Sequence, residues 1–380
     1  MRFILIVLFL LSSTKAFAHY ERLSINSELL GEDPTVQISL PETYRHSDSF
    51  SYPLLIVLDG STQFSHTAGS VHFLSSYAII PEMIVVGVGV KNRLAFFTHT
   101  EPEAFKGRAG RADLFTSFLQ DELLNILNEK YRVAPYYVIA GHSLSGLYTS
   151  HLAVNGNSKF NAAISISPSL WWDKAVMVSD YKKNHSTKVV NPFRWFLSMA
   201  SEPNEMPEAF ESMLLALKNN SKSGLYHAYA RFPDETHDST PLIGMAKGLQ
   251  AVFSGWNAVP KIDVMPMSEL TKFYDDKVKE FGYKFPLSVH QFNVYGLKAA
   301  YEDKTTWGVE ILAKGTKAFP DSEILWDSLA TAYSLNKNLP DALIASERAL
   351  ELAVANNSIF IDEIKAQNTA LKAEKKKEAK

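Results

Sequence analysis

Hydrophobic positions along the chain fall into two textures that meet near Pro260. From Tyr20 to about Val259, short apolar runs alternate with helical stretches. Val36-Gln37-Ile38-Ser39-Leu40 alternates apolar and polar residues, as a half-buried strand does. The segments 54–58, 83–88 and 136–140 are nearly continuous apolar runs, each followed by glycine or aspartate. Such runs suit central strands of a parallel sheet covered on both faces. The segments 162–166, 194–199 and 226–230 extend the series. Between strands, the stretch from Leu114 to Tyr131 lines up Phe115, Phe118, Leu119, Leu123, Ile126 and Leu127 on one helical face. The alternation predicts a doubly wound, mostly parallel α/β sheet for residues 19–260.

Beyond Pro260 strand-like runs stop and helix formers dominate. Residues 261–284 read as a charged helical connector. From Ser288 to Leu352 a repeat of period 34 is visible: Phe292 answers Trp326, Gly296 answers Ala330, Gly308 answers Ala342 and Gly315 answers Ala349. Pro320 closes the first copy. Small residues at those places let the two helices of a hairpin cross closely, and 34 is the tetratricopeptide length. Residues 285–357 are therefore expected to form a small all-α, tetratricopeptide-like domain. The charged tail 358–380, with Lys375-Lys376-Lys377, is expected to be a solvated, frayed helix end.

The first residues have a different character. Arg2, nine apolar residues from Phe3 to Leu11, and Ala16-Phe17-Ala18 form the charged, apolar and small-x-small pattern of a secretory signal peptide over residues 1–18. Nine apolar residues are too few to span a bilayer, which needs about 20. No cysteine follows Ala18 to carry a lipid anchor, and no later apolar run is long enough to span, so the mature chain is expected to be exported, periplasmic or secreted, without a membrane span. Composition narrows the chemistry. The 380 residues contain no cysteine, which excludes disulfides, thiolate metal sites and a cysteine nucleophile. Net charge is −3, falling to −5 once Arg2 and Lys15 leave with the leader, and no basic block suits nucleic acid as a main partner. No metal-binding motif and no phosphate-cradling glycine loop appears, so neither a metal nor a cofactor is expected.

One motif carries chemistry. Gly141-His142-Ser143-Leu144-Ser145-Gly146 lies between a buried strand and an apolar helix, the context of a nucleophilic serine on a sharp strand-to-helix turn. Small residues flank such a serine because strand and helix approach closely there; Ser145 stands where glycine is usual. A serine hydroxyl needs a base. His151, His185, His227, His237 and His290 all follow Ser143, and His237 is favoured because it sits in the loop after the last strand, before a helix opening at Pro241. The acid that orients it should follow the preceding strand, which makes Glu202 the first choice and Glu205 the second. Two amides should hold the oxyanion: that of Leu144, and that of Gly60 or Ser61 after the strand ending at Leu58. Trp171 and Trp172 either wall the cleft or cap the core.

With these residues in place, the chain resembles the esterase D and enterochelin esterase family of α/β-hydrolases from about Ser27 to Phe253. The likeness rests on Leu58-Asp59-Gly60, Arg93 with Phe97-Thr98, the serine elbow, and Ser167-Pro168-Ser169-Leu170-Trp171-Trp172, together with shorter pieces such as Leu40-Pro41 and Tyr52-Pro53. It implies a Ser143–His237 pair with Glu202 at the acid position; Arg93, Trp171 and Trp172 are the candidate substrate-binding residues. Departures stand at Ser145, Pro34 and Phe96-Phe97-Thr98-His99, and the last two imply an altered substrate rim rather than lost catalysis. The expected activity is hydrolysis of carboxylic esters through an acyl-enzyme, on a siderophore lactone or an acyl, feruloyl or glycan ester. Activity should rise with pH as the base loses its proton. A second reading is a silent hydrolase-fold scaffold. In that reading the repeats bind a protein partner or a second copy; they could also pack on the hydrolase as a lid.

Overall fold

A computed structural model describes residues 20–156, 158–184, 192–258 and 264–378; the leader assigned to residues 1–18 lies outside them. Eight strands form one sheet: β1 (Tyr20–Ser24), β2 (Thr35–Ser39), β3 (Tyr52–Leu58), β4 (Ile84–Gly89), β5 (Val133–His142), β6 (Ala162–Ile166), β7 (Phe193–Ala200) and β8 (Leu225–Phe232). Their spatial order is β1-β2-β4-β3-β5-β6-β7-β8. β1 and β2 run antiparallel at one edge and the other six strands are parallel, so the expected doubly wound, mostly parallel sheet is present. Period-2 geometry explains the continuous apolar runs. In β3, Leu54, Ile56 and Leu58 face one core while Leu55 and Val57 face the other, and all five are fully buried.

The helices follow in chain order: α1 (Gly60–Ser76), α2 (Arg93–Phe96), α3 (Ala112–Ser117), α4 (Leu124–Lys130), α5 (Leu144–Asn155), α6 (Trp172–Asn184), α7 (Met206–Asn219), α8 (Thr240–Val252), α9 (Met267–Phe281), α10 (Val289–Tyr301), α11 (Thr305–Ala318), α12 (Glu323–Leu335), α13 (Leu339–Ala355) and α14 (Ile361–Glu378). Helices α3 to α7 bury one face of the sheet, and α1 and α8 bury the other. The predicted helix over 114–131 is continuous but contains a π-helical segment at Phe118–Leu123 between α3 and α4.

The all-helical region of about 100 residues is built from antiparallel hairpins. α10 and α12 begin 34 residues apart, as do α11 and α13. Crossing points fall on the expected small residues: a Cβ on Gly308 would sit 2.7 Å from the carbonyl oxygen of Gly296, and one on Gly315 would sit 2.9 Å from Cβ of Phe292. The tail departs from expectation. α14 docks one face on the preceding hairpin, burying Ile364, Asn368 and Leu371 and bonding Asn368 to Ser346 at 3.1 Å, while its other face and its lysine-rich end are solvated.

This helical region shares a core with the sheet rather than hanging from it. Its contacts gather where the parallel strands begin. Tyr136 at the start of β5 packs on Phe281, Tyr283 and Phe285. Phe50, just before β3, meets Phe319. Glu82, just before β4, lies 3.6 Å from His290, and His46 lies 3.6 Å from Glu323. The nucleophile motif ends β5 at the opposite, carboxyl edge. A lid formed by the repeats, one of the roles read from the sequence, is therefore ruled out by position.

Candidate active site

Ser143 stands at the junction of β5 and α5 with φ 59° and ψ −116°, a region that a residue with a side chain rarely occupies. Holding it there costs about 1–3 kcal/mol, and the surroundings enforce it. Its N–H bonds to the carbonyl of Ile166 at 3.0 Å, and its carbonyl accepts from Leu147 at 3.0 Å and Ser169 at 3.1 Å. The flanking glycines are sterically required. A Cβ at Gly141 would lie 2.4 Å from the carbonyl oxygen of Ser145, and one at Gly146 would lie 3.0 Å from that of Ile166. At 146 a side chain would meet neighbouring backbone, whereas at 145 it is the backbone that closes on Gly141 and the side chain has room, which is why a serine is tolerated there.

The loop after β8 delivers His237, and the loop after β7 delivers Glu202. Both Glu202 oxygens lie within 3.0 Å of His237 Nδ1, and the carboxylate is fully buried while the imidazole keeps 32% exposure. A bond from the Ser201 N–H to the Glu235 carbonyl, 3.0 Å, ties the two loops together. Glu205 is exposed at the N-terminal end of α7. His237 also reaches the elbow: its ring centroid is 4.4 Å from that of His142, the neighbour of Ser143. Other histidines are occupied elsewhere. His151 is buried in a stack with His99, His290 faces Glu82, and His227 lies on the exposed edge strand β8; His185 lies outside the described residues.

Three residues that carry the geometry were not assigned from sequence. His142 is held down to about 4 by burial and by the neighbouring His237, so it stays neutral near neutral pH and does not oppose a charge forming on His237. Asp59 adopts a left-handed conformation, φ 56°, just before Gly60, and accepts bonds from Ser145 Oγ at 2.7 Å and from Arg93 Nε and Nη2 at 2.5 and 2.9 Å. Position within the G-x-S-x-S motif was the available signal for His142 and Ser145, and adjacency to Gly60 the signal for Asp59. Gly60 and Ser61 open α1, as Leu144 opens α5, so both candidate oxyanion loops present helix N-termini at one edge of the sheet. Arg93, expected at the substrate rim, holds its guanidinium against Asp59. The tryptophans divide. Trp172 is buried on Phe105 with its N–H donated to Thr100 at 3.0 Å, which corrects its placement on the cleft wall, while Trp171 stays 38% exposed. Among the described residues no cluster suits a metal ion, and no helix is long and apolar enough to cross a membrane.

A serine elbow on a mostly parallel sheet, with a histidine–carboxylate pair from the following loops, defines a serine ester hydrolase of the α/β-hydrolase class. Residues 27–195 match the family model described as "Putative esterase". The siderophore triacetylfusarinine C esterase of Aspergillus fumigatus is 21% identical over 272 residues, covering 60% of this chain and 90% of that protein. Ferri-bacillibactin esterase BesA of Bacillus subtilis is 21% identical over 257 residues, covering 62% and 82%. An IroE-like serine hydrolase from Shewanella oneidensis shares the fold with a TM-score of 0.71 at 23% identity, over 79% of this chain and 99% of that one. Through its sheet domain the chain is similar to the enterochelin-esterase-like esterases.

Proposed function

We propose that this protein is an exported esterase that cleaves carboxylic esters through an acyl-enzyme on Ser143. The pairing of His237 with the buried Glu202 carboxylate, next to the strained serine's elbow, carries the reading. Ser143 Oγ attacks the ester carbonyl carbon while His237 Nε2 takes its proton; Glu202 holds the Nδ1 proton and stabilises the imidazolium. The tetrahedral oxyanion is met by the amides of Leu144 and of Gly60 or Ser61. Collapse breaks the bond to the alcohol, which leaves with the proton from His237. Water, activated by the same imidazole, then releases the acid. Half-exposed Trp171 offers an aromatic wall to a ring-bearing or glycan-bearing ester, and siderophore lactones are the first substrates to compare, with feruloyl and short acyl esters beside them. The helical hairpins act as a tetratricopeptide-like buttress at the amino edge of the sheet.

A fluorophosphonate probe should label the wild-type protein and leave Ser143→Ala unlabelled; equal labelling of both overturns the assignment of the nucleophile. Comparison of kcat/KM across p-nitrophenyl, feruloyl and siderophore-lactone esters assigns the substrate class. Export is checked by the amino terminus of the protein recovered outside the cytoplasm, expected at His19.

A further inference from the structure

We infer that Ser145 is a positioning residue that locks the two halves of the oxyanion site together through Asp59, an inference that rests on the catalytic reading above. Ser145 is fully buried in the first turn of α5. Its hydroxyl accepts from the His142 N–H at 2.9 Å, and its single proton has two acceptors, Asp59 Oδ2 at 2.7 Å and the His142 carbonyl at 2.9 Å. The shorter contact to the charged oxygen takes the proton. Asp59 in turn is gripped by Arg93, the first residue of α2 in the connection after β4. One carboxylate therefore joins three strand-end loops: after β3, after β4, and the elbow after β5.

The location gives this tether a consequence. Ser145 follows Leu144 directly, and Asp59 precedes Gly60 and Ser61 directly, so the hydrogen bond spans the two segments whose amides would share the oxyanion. Asp59 sits in left-handed backbone, which costs a residue with a side chain about 1–2 kcal/mol and returns to the right-handed region unless held. A glycine at 145 supplies no such hold. The serine that departs from the usual motif thus fixes where the second amide stands relative to the first. Ester substrate in its ground state makes little use of that spacing, whereas the tetrahedral oxyanion depends on it, so the tether should act on kcat more than on KM.

The test compares wild type, Ser145→Ala, Asp59→Asn and the double variant for kcat, KM, fluorophosphonate labelling rate and thermal midpoint. Ser145→Ala should lower kcat about tenfold, less than the roughly 10²–10³ lost with an oxyanion donor itself. KM should stay within about twofold, and labelling should slow in parallel because phosphonylation forms the same kind of anion. The double variant should be no slower than the slower single, as expected when two residues act as one unit. Asp59 lies nearer the surface, and Asp59→Asn reads the same tether should Ser145→Ala fold poorly. The inference is overturned if the folded single variants keep wild-type kcat and labelling rate, if KM alone changes, or if the losses multiply. A wild-type protein that neither turns over esters nor takes the probe instead overturns the catalytic reading and this inference with it.

Discussion

Replacing Glu202 by glutamine isolates the charge behind His237 while keeping shape. Both Glu202 oxygens lie 2.9–3.0 Å from Nδ1, and the carboxylate is fully buried. An imidazolium about 4 Å from a carboxylate gains about 4 kcal/mol at an effective dielectric constant of about 20. His237 retains 32% exposure, and the amide keeps a dipole toward Nδ1, which together remove part of that gain. What remains, roughly 2–3 kcal/mol, corresponds to a loss of about 30- to 160-fold in kcat/KM. Stopped-time assays on a p-nitrophenyl ester, run across pH with thermal midpoints in parallel, measure it. Glu205→Gln is the internal control, because Glu205 is exposed and is not bonded to the imidazole. Glu202→Gln within about threefold of wild type in a folded protein, or a larger loss at Glu205→Gln, refutes the assignment; the threefold limit lies well below the smallest loss expected from the charge term.

Three further outcomes follow from the packing. Gly308→Ala would gain about 1 kcal/mol in an ordinary helix interior, but its Cβ meets the Gly296 carbonyl oxygen at 2.7 Å, so urea denaturation should show a loss of about 1–3 kcal/mol instead. Deleting residues 285–380 should not leave a free-standing hydrolase: it strips Phe285, Phe292 and Phe319 from the shared core, and the thermal midpoint should fall by about 10 °C or more, read by differential scanning calorimetry. Asp327 is pushed up to about 6 by burial, and its Oδ1 has no partner. Its folded pKa lies above the unfolded value, so its contribution is full at low pH and is lost as pH rises through the folded pKa. Asp327→Asn should therefore be more stable by about 1–2 kcal/mol near pH 8 and equal to wild type near pH 4, as read from denaturant midpoints at the two pH values.

Much of this protein was legible in one dimension because the relevant physics is local. Strands buried on both faces are apolar at nearly every position, which marked β3, β4 and the later half of β5. A serine on a hairpin-sharp turn needs small neighbours, and a helix crossing needs glycine or alanine, which marked the elbow and the 34-residue repeat. Each of these constraints acts within a few residues or within one repeat. Tertiary structure decided the rest, since the deciding contacts join residues far apart in the chain. Glu202 rather than Glu205 meets His237 across 35 residues because the Ser201–Glu235 bond aligns their loops. Trp172 turns inward and Trp171 outward because Thr100 offers the buried indole an acceptor. Ser145 looked like a flaw in a motif until Asp59, 86 residues away, supplied its partner. The repeats sit at the edge of the sheet opposite the elbow because the apolar residues opening β5 and preceding β3 are covered there, and hydrophobic area alone names no partner until the chain is folded.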